Sequence, residues 1–318
     1  MVLWRSLTIG RQSGTYPGSL SGGSRGPSSA LPRRDNKKGQ TLKGRVLIIA
    51  GSDSSGGAGI QADIKTVTAL GGYAMTAITA LTAQNTQGVQ GVVGVDPDFI
   101  KQQIHSCLDD IGADAIKTGM LHSIPVIEAV SEVLKARCRD IPVVVDPVMV
   151  AQSGAVLLPA EAVNIISRDM ALIADVITPN VPEAEKLIGM KINSPEDMRA
   201  AATMLMTLGS KAVLLKGGHL DTTRNIIDVL ASDDGLTVYE DSRLPVTETH
   251  GTGCTLASAL ATGLAQGLPL GVAVARARAF VRKAMITAPG YGSGQGPLNH
   301  AHSIVVPGDD PRDEVGGN

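Results

Sequence analysis

The residues best suited to chemistry lie near the C-terminal end of the chain, in the run His250-Gly-Thr-Gly-Cys254. Two glycines let the backbone turn sharply and approach a ligand. Ala, Leu and Ser follow at helical spacing in Thr255–Leu264, so we expect the amides of residues 251–254 to be the free donors of a helix N-terminus. Such a terminus binds anions and favours a thiolate, so Cys254 could act as a base beside a phosphoryl group in transit. The alternative is a loop that caps a buried helix, with Cys254 as a small core residue.

A second candidate, Gln84, follows the run Tyr73–Ala83, whose Ala, Thr and Ile residues predict a strand. A side-chain amide donates and accepts hydrogen bonds at once, which suits the edge of an aminopyrimidine-like ring. Gln84 could instead be a loop residue that hydrogen-bonds to nearby backbone.

A polar pair and a lysine further along the chain suit the binding of phosphate and metal. Asn180 ends the run Ala171–Asn180, which predicts a strand, and Glu183 follows near a predicted helix start. A carboxamide and a carboxylate so placed can orient water around a Mg²⁺ ion that carries phosphates, or they can cap the helix. Lys216 ends another apolar run before two glycines and suits a nucleotide phosphate.

Buried strands and amphipathic helices must position these residues. Short apolar runs, such as Arg45–Ala50, Ala115–Met120 and Pro142–Asp146, alternate with helical patterns. This alternation predicts a doubly wound α/β fold, with a mostly parallel sheet, helices on both faces and right-handed crossovers. Two further runs, Asn225–Leu230 and Leu236–Glu240, predict a hairpin and therefore antiparallel strands at one edge of the sheet.

The candidate residues share a position just past a predicted strand. They are Asp53, Gln84, Met120, Asp146, Asn180, Lys216 and the 251–254 loop. Because the carboxyl ends of parallel strands meet at one edge, we expect these groups to line one ligand crevice. The helix predicted for residues 270–287 carries basic residues that we expect to form a solvated face, namely Arg276, Arg278, Arg282 and Lys283.

Composition argues against several classes of protein. With 318 residues, 43% of them hydrophobic and 18% charged, the chain has the character of a soluble globular protein. Aromatic residues make up 2%, and beyond residue 40 the chain has 29 acidic and 21 basic residues, so a nucleic-acid surface is not expected. No apolar run is long enough for a transmembrane helix. Three widely spaced cysteines indicate neither a disulfide framework nor a zinc site.

Two common nucleotide-binding motifs are also disfavoured. Gly57-x-Gly59-x-x-Ala62 matches the dinucleotide fingerprint, but no acidic residue for a ribose occurs between Asp63 and Asp96. This argues against a Rossmann dehydrogenase. The sequence has no Gly-x-x-x-x-Gly-Lys-Ser/Thr loop, so a phosphotransferase with this sequence is not a P-loop enzyme.

The two ends of the chain differ in composition from the rest. Residues 1–40 hold seven Lys or Arg, seven Ser and one acidic residue, Asp35. This is typical of an organellar transit peptide, and also of a disordered extension or an upstream start codon. We expect a disordered or targeting-like extension over residues 1–42, one domain over 43–304 and a flexible tail over 305–318. The expected location is cytoplasmic, or organellar if the first 40 residues are a transit peptide.

Seven segments of the sequence together resemble one enzyme family. They are Ala50–Asp63, Ala80–Asn85, Lys117–Met120, Val145–Met149, Thr178–Glu183, Lys216–His219 and His250–Cys254. In order, and over about Arg45–Ala301, they resemble the bifunctional hydroxymethylpyrimidine/phosphomethylpyrimidine kinases of thiamine biosynthesis. That family belongs to the ribokinase superfamily, so the resemblance implies a ribokinase-like domain.

The resemblance also implies an activity and a role for each candidate residue. The activity is ATP-dependent phosphorylation of 4-amino-5-hydroxymethyl-2-methylpyrimidine to its monophosphate and then to its diphosphate, with Mg²⁺. The residues that would line the pyrimidine pocket are Gly51, Asp63, Thr82, Gln84 and Met120. Those that would contact ATP are Asn180, Lys216 and Thr249, and those that would bind Mg²⁺ are Glu183 and Asp146. Cys254 would be the base, and the negative charge on the transferred phosphoryl group would be stabilised by Gly251, Thr252 and Gly253.

The resemblance also implies which partners to expect. The superfamily suggests a homodimer. The other partners would be small molecules, with no nucleic acid and no membrane.

Two other functions fit the same residues. A pyridoxine or pyridoxal kinase would use the same scaffold and base on a similar hydroxymethyl heteroaromatic compound, although Gln84 with Met120 favours the pyrimidine. A non-catalytic pyrimidine-binding regulator is a second alternative. Against it stand the intact Cys254, Glu183 and Lys216.

Overall fold

Short runs of β-branched residues form a central sheet, as the sequence predicts. The computed structural model describes residues 43–304, except 151–153, 155, 156, 160 and 221–224. The predicted extension 1–42 and tail 305–318 therefore lie outside the described residues. The strands of the described residues are β1 (Arg45–Asp53), β2 (Tyr73–Asn85), β3 (Gly88–Gly94), β4 (Ala115–Thr118), β5 (Val143–Val145), β6 (Val176–Ile177), β7 (Ala212–Leu215), β8 (Asn225–Ser232) and β9 (Gly235–Ser242).

These strands make one sheet in the order β3-β2-β1-β4-β5-β6-β7-β8-β9. The six strands from β2 to β7 in that order are parallel, and β8 and β9 form the predicted antiparallel hairpin at one edge. β3 adds an antiparallel strand at the opposite edge, which its glycine-rich sequence did not predict. The predicted doubly wound α/β fold is confirmed. Chain order reverses at β1, which pairs with β2 on one side and β4 on the other, and such a switch point opens a ligand crevice.

Helices cover both faces of the sheet. On one face lie α1 (Gly59–Ala69), α7 (Thr252–Ala265) and α8 (Leu270–Ile286). On the other lie α2 (Pro97–Asp110), α3 (Ile124–Arg137), α4 (Ala162–Ile165), α5 (Val181–Ile188) and α6 (Pro195–Met206). The alternation of side chains along β1 divides the core, with Val46 and Ile48 packing on the first face and Leu47 and Ile49 on the second. No described helix has both the length and the apolar character that a membrane span requires.

The helix predicted after the Gly-Thr-Gly-Cys run is α7, and it is buried along most of its length. Small residues let it approach its neighbours closely: a Cβ on Gly263 would lie 2.7 Å from the Cβ of Ala273 in α8. Near its first turn, Thr255 Oγ1 lies 2.9 Å from Nε2 of His300, which belongs to the segment after α8. The segment after α8 therefore holds the first turn of α7, and α8 itself packs closely against its last turn. Burial lowers the pKa of His300 to about 4, so its ring is neutral in the folded protein at neutral pH.

We expect His300 to make folding stability depend on pH. Its folded-state pKa lies below the ordinary value of 6.5, so between about pH 6.5 and pH 4 the unfolded chain binds a proton that the folded chain does not. Stability should therefore fall as pH falls, with a contribution of about 2–3 kcal/mol between pH 7.5 and pH 4.5. Urea unfolding of wild type and His300→Gln at both pH values measures it. The variant should lose less stability on acidification by that amount, and equal losses would contradict the assignment.

Candidate active site

A cavity of about 480 Å³ opens at the carboxyl edge of the sheet, beside the switch point. Thirteen of the fourteen site residues predicted from the sequence line it, from Gly51 on β1 to Cys254 on α7. The exception is Asp63. The expectation that these residues line one cavity is therefore confirmed. The roles of the individual residues remain predictions.

The N-terminus of α7 projects its first amides toward this cavity. Gly251 precedes the helix with a φ of +85°, and a Cβ on it would overlap the carbonyl oxygen of Gly57 in the loop after β1. Only glycine fits there. The amide of Thr252 donates to the carbonyl of Thr249 (3.2 Å), so it is not the free donor that the sequence predicted. Within the described chain, the amides of Gly251, Gly253 and Cys254 have no acceptor, and they remain available to an anion.

The thiol of Cys254 is half-buried at this terminus. Burial raises its pKa to about 11, against the opposing effect of Lys117, and the carboxylates of Asp63 and Asp146 raise it further. A hydrogen bond from the backbone of Gly59 acts in the opposite direction but is weaker. The expectation that this position favours the thiolate is therefore wrong, because burial disfavours the charged form more than Lys117 and the Gly59 amide favour it.

A lysine and two carboxylates form the side of the cavity beyond Cys254. Lys216 Nζ lies 2.9 Å from Oδ1 of Asp146, which also accepts a hydrogen bond from Thr178 Oγ1 (3.1 Å). Burial by itself would lower the pKa of Lys216, but Asp146 and Glu183 raise it, so the ammonium keeps its charge. Among the described residues, Oδ2 of Asp146 accepts no hydrogen bond. This oxygen is available to a cation.

Asn180 and Glu183 form a capping box on α5, so the helix-capping alternative is confirmed. Glu183 Oε2 accepts the Asn180 amide (2.8 Å), and Asn180 Oδ1 accepts the Glu183 amide (2.9 Å). Burial raises the pKa of Glu183 to about 7, although Lys216 acts to lower it. No group of three or more His, Cys, Asp or Glu side chains suited to a metal occurs in the described part of the chain. Two carboxylates still suit Mg²⁺, which keeps several waters and takes other ligands from substrate phosphates.

Gln84 occupies the opposite side of the cavity. Its backbone is held by Ser54, whose hydroxyl donates to the Gln84 carbonyl and accepts from the Gln84 amide (2.9 Å each). Its Oε1 accepts a hydrogen bond from Thr82 Oγ1 (3.1 Å). Nearby, a Cβ on Gly51 would lie 3.3 Å from the sulfur of Met120, so the glycine leaves room for this apolar side chain. The polar amide and the apolar sulfur together offer one hydrogen-bonding and one apolar surface.

Asp63, which was predicted to lie in the pyrimidine pocket, does not line the cavity. Its side chain has no exposed surface. Both carboxylate oxygens lie 2.9 Å from Nζ of Lys117, and Oδ1 also accepts a hydrogen bond from Ser258 Oγ (2.7 Å). Asp63 therefore holds Lys117, which borders the cavity from β4.

A second buried pair joins the two glycine-rich loops. His250 Nε2 lies 2.8 Å from Oδ2 of Asp53 at the end of β1. Asp53 also accepts hydrogen bonds from Ser55 and from the amide of Ala58, 2.8 Å each. Burial would raise the pKa of Asp53, but these bonds, that of His250 foremost, hold it at about 2. No separate role for His250 was predicted from the sequence, although its position before Gly251 could have suggested one.

An ion-pair cluster that was not predicted from the sequence lies beside the Lys216-Gly-Gly loop. The Arg278 side chain, expected on a solvated face, is 12% exposed, and its Nε lies 2.8 Å from Oδ2 of Asp228 on β8. Its Nη2 lies 3.0 Å from Asp241 on β9. Asp228 Oδ1 accepts the amide of Gly217 (2.9 Å). An aspartate within the apolar strand Asn225–Ser232 was the available signal.

Comparison with known proteins agrees with this geometry. The family model described as Phosphomethylpyrimidine kinase matches residues 53–299. The chain is 47% identical over 278 residues to the Thiamine biosynthesis bifunctional protein ThiED of Geobacter sulfurreducens, covering 87% of this chain and 56% of that protein. It is 42% identical to the Hydroxymethylpyrimidine/phosphomethylpyrimidine kinase of Streptomyces coelicolor, with 81% of this chain and 95% of that one covered.

A solved structure supports the same relationship. The pyridoxal kinase of Bacillus subtilis, in complex with ADP, superposes with a TM-score of 0.75 at 35% identity, and the match covers 81% of this chain and 98% of that one. The mixed sheet with its surrounding helices is thus the ribokinase-like fold of these kinases. The family match spans most of the chain, and the chain belongs to the phosphomethylpyrimidine kinase family.

Proposed function

We propose that this chain transfers the γ-phosphoryl group of ATP to 4-amino-5-hydroxymethyl-2-methylpyrimidine and then to its monophosphate, in thiamine biosynthesis. The observation that carries the proposal is that one cavity brings four kinds of group together. They are an amide that can hydrogen-bond to the edge of a heteroaromatic ring (Gln84), a candidate base (Cys254), the free amides of α7, and a lysine with two carboxylates. The relative from Streptomyces coelicolor, which this chain matches over 95% of that protein's length, is named for both steps. The structure of a related kinase with ADP supports the use of ATP.

The acceptor would lie between Gln84 and Met120. The Gln84 amide would pair with the ring nitrogen and the exocyclic amine of the pyrimidine, and Met120 would contact its apolar face. This orientation would direct the hydroxymethyl group toward Cys254. Since Cys254 lies on the first turn of α7, the reacting oxygen would also lie close to the free helix amides.

The phosphates of ATP would lie between Lys216 and the N-terminus of α7. The amides of Gly251, Gly253 and Cys254 would stabilise the negative charge of the transferring group, and Lys216 would orient the phosphate chain. Asp146 and Glu183 would hold Mg²⁺, and the free Oδ2 of Asp146 fits this role. Bound there, Mg²⁺ would neutralise charge on the phosphates.

Cys254 would take the hydroxymethyl proton. Because burial raises the pKa of its thiol to about 11, only a small fraction is thiolate at neutral pH, and turnover should rise with pH. The proton of the hydroxymethyl group need not be removed before the transition state, because phosphoryl transfer has a loose transition state with little bonding to the attacking oxygen. The thiolate accepts the proton as the new O–P bond forms and the bond to ADP breaks.

Replacing the proposed base should remove turnover and preserve binding. We expect Cys254→Ala to lower kcat by about 10²–10³ because the proton has no acceptor, while the Kd for the pyrimidine stays near the wild-type value. Cys254→Ser should also lose the alkaline rise in kcat. Steady-state kinetics and calorimetry measure these effects. Cys138→Ala, at a buried cysteine on the other face of the sheet, is the control and should keep wild-type kinetics. Normal turnover in Cys254→Ala would refute the base assignment.

The turn before α7 offers a test of the anion site. Gly251→Ala would force a Cβ against the carbonyl of Gly57 and displace the amides, so we expect kcat/KM to fall about 100-fold. Gly267→Ala is the matched control, because Gly267 also has a positive φ (+79°) but nothing lies within 4 Å of its Cβ position. Both variants carry similar backbone strain. If the two lose activity equally, strain rather than amide placement explains the loss.

A variant of Gln84 can distinguish the pyrimidine kinase activity from a second candidate function, phosphorylation of vitamin B6. The likeness to a pyridoxal kinase favours this second candidate. Gln84→Leu removes hydrogen bonds to the pyrimidine edge, so we expect at least a roughly tenfold rise in KM for the pyrimidine and its monophosphate. The effect on pyridoxal should be smaller. Gln90→Leu on the exposed edge strand β3 is the control. ATP consumption with the three acceptors measures this; turnover of pyridoxal alone would transfer the assignment to that substrate, and no turnover would favour a binding protein.

A further inference from the structure

Arg278 is a nearly buried cation on α8 to which the proposed reaction gives no role. Its side chain is 12% exposed, and its Nε lies 2.8 Å from Oδ2 of Asp228 on β8. Its Nη2 lies 3.0 Å from Oδ2 of Asp241 on β9, and its guanidinium carbon lies 5.1 Å from the centre of the Tyr239 ring. Arg278 therefore ties α8 to both strands of the hairpin.

Asp228 extends this interaction to the loop that follows β7. Its other oxygen, Oδ1, accepts a hydrogen bond from the amide of Gly217 (2.9 Å). The backbone pairing of β7 with β8 ends at Leu215 and Val229, so the Asp228 side chain replaces a backbone acceptor where the two strands separate. Arg278, Asp228 and Gly217 thus form one chain of hydrogen bonds from α8 to a loop amide.

Other contacts hold the same loop. A Cβ on Gly217 would overlap the carbonyl oxygen of Ile227, so the backbone of the loop lies directly against β8. Arg243, which follows β9, donates hydrogen bonds to the carbonyls of Gly218 and Leu220 (3.0 Å each). The loop is therefore held by its carbonyls as well as by its amide.

This loop borders the cavity at the place proposed for the ATP phosphates. Lys216, Gly218 and His219 line the cavity, and Lys216 directly precedes the bonded amide of Gly217. A shift of the Gly217 backbone would move the lysine and the neighbouring glycine together. Because small displacements of binding groups weaken binding, the Asp228 bond would set how well the loop fits a phosphate.

Charge gives a second reason for an arginine at this position. Asp228 and Asp241 both line the cavity on the side of Lys216, and two carboxylates there would repel the phosphates of a nucleotide. Arg278 is paired with both of them and offsets their charge. The arginine would thus hold Asp228 in place and also reduce its repulsion of the ligand.

We propose that Arg278 is a positioning residue for the nucleotide, and that it acts through Asp228 on the amide of Gly217 and so on the Lys216-Gly-Gly loop. The inference rests on the proposed function, which places the ATP phosphates beside Lys216. Nε and Nη2 of Arg278 are bonded to carboxylates, so the arginine acts through its partners and not by contact with the nucleotide.

The test measures nucleotide binding itself, by titration calorimetry with ADP and without an acceptor. Arg278→Met and Asp228→Ala should each raise the Kd for ADP about tenfold, because the loop amide loses its anchor. The Kd for the pyrimidine, which would lie on the opposite side of the cavity, should stay near the wild-type value. Arg278→Lys keeps the positive charge and should restore part of the affinity for ADP.

The double variant Arg278→Met/Asp228→Ala shows how the arginine acts. Its Kd for ADP should be no higher than that of the weaker-binding single variant, because both residues act through one bond to Gly217. An additive rise of roughly a hundredfold would mean that Arg278 acts on the nucleotide independently of Asp228, and it would overturn the proposal. If Arg278→Met does not fold, Arg278→Lys and Asp228→Asn complete the same cycle and should show the same lack of additivity.

Arg45→Met is the matched control for a loss of stability. Arg45 also makes two bonds to an aspartate, Nε to Asp114 Oδ2 (3.0 Å) and Nη2 to Oδ1 (2.8 Å), but it lies at the start of β1, away from the cavity. Thermal unfolding should show that Arg45→Met destabilises the protein, and its Kd for ADP should equal that of wild type.

The possible failures are distinguishable. Wild-type affinity for ADP in Arg278→Met, or an equal loss in Arg45→Met, would overturn the proposal. If wild type binds ADP as expected but phosphorylates no pyrimidine, the proposed function is refuted and this inference stands. Absence of ADP binding by wild type would refute both.

Discussion

The contact between two glycine-rich loops determines the geometry of the whole site. The carbonyl of Gly57 occupies the space that a side chain at Gly251 would need, and Gly57 itself leaves room for the ring of His250. The Asp53–His250 pair holds the loops together at 2.8 Å from within the protein. Because one loop ends β1 at the switch point of the sheet and the other starts α7, this contact places the helix amides over the crevice. The fold and the proposed anion site depend on the same few atoms.

Oppositely charged side chains are paired along the cavity. Lys117 is bonded to Asp63 and Lys216 to Asp146, so neither lysine is an uncompensated buried charge. Leaving either lysine unpaired would lower the stability of the folded protein by several kcal/mol, which explains why each is paired with a carboxylate. The consequence for binding is competition: a phosphate that contacts Lys216 shares it with Asp146. A cation on the other oxygen of Asp146 would reduce that competition, which would link metal binding to nucleotide binding in the proposed site.

The strand ends and the glycine turns could be predicted from the sequence, because buried parallel strands are continuous apolar runs and Gly-Thr-Gly before small residues indicates a helix start. The roles of buried charges were harder to predict. Asp63 lies three residues after Ile60 and four before Val67, both buried, so it occupies the apolar face of α1. Arg278 likewise lies four residues after the buried Val274. A charge on the apolar face of a helix indicates a buried partner, but the partner can be any opposite charge that the fold brings near. β3 was missed because glycines interrupt its alternation.

The protonation state of Cys254 could not be predicted from the local motif alone, because it depends on the relative sizes of opposing effects on the thiol pKa. A helix N-terminus stabilises a nearby negative charge by about 0.3–1 kcal/mol, which is less than one pKa unit. Burial can raise the pKa of an acid by several units, and here it raises the thiol from its ordinary value of 9.0 to about 11. The helix is therefore insufficient to make a base of this cysteine. The value of about 11 already includes the opposing effect of Lys117, which of the protein's cations lowers this pKa most, so the surrounding protein does not make Cys254 a thiolate at neutral pH.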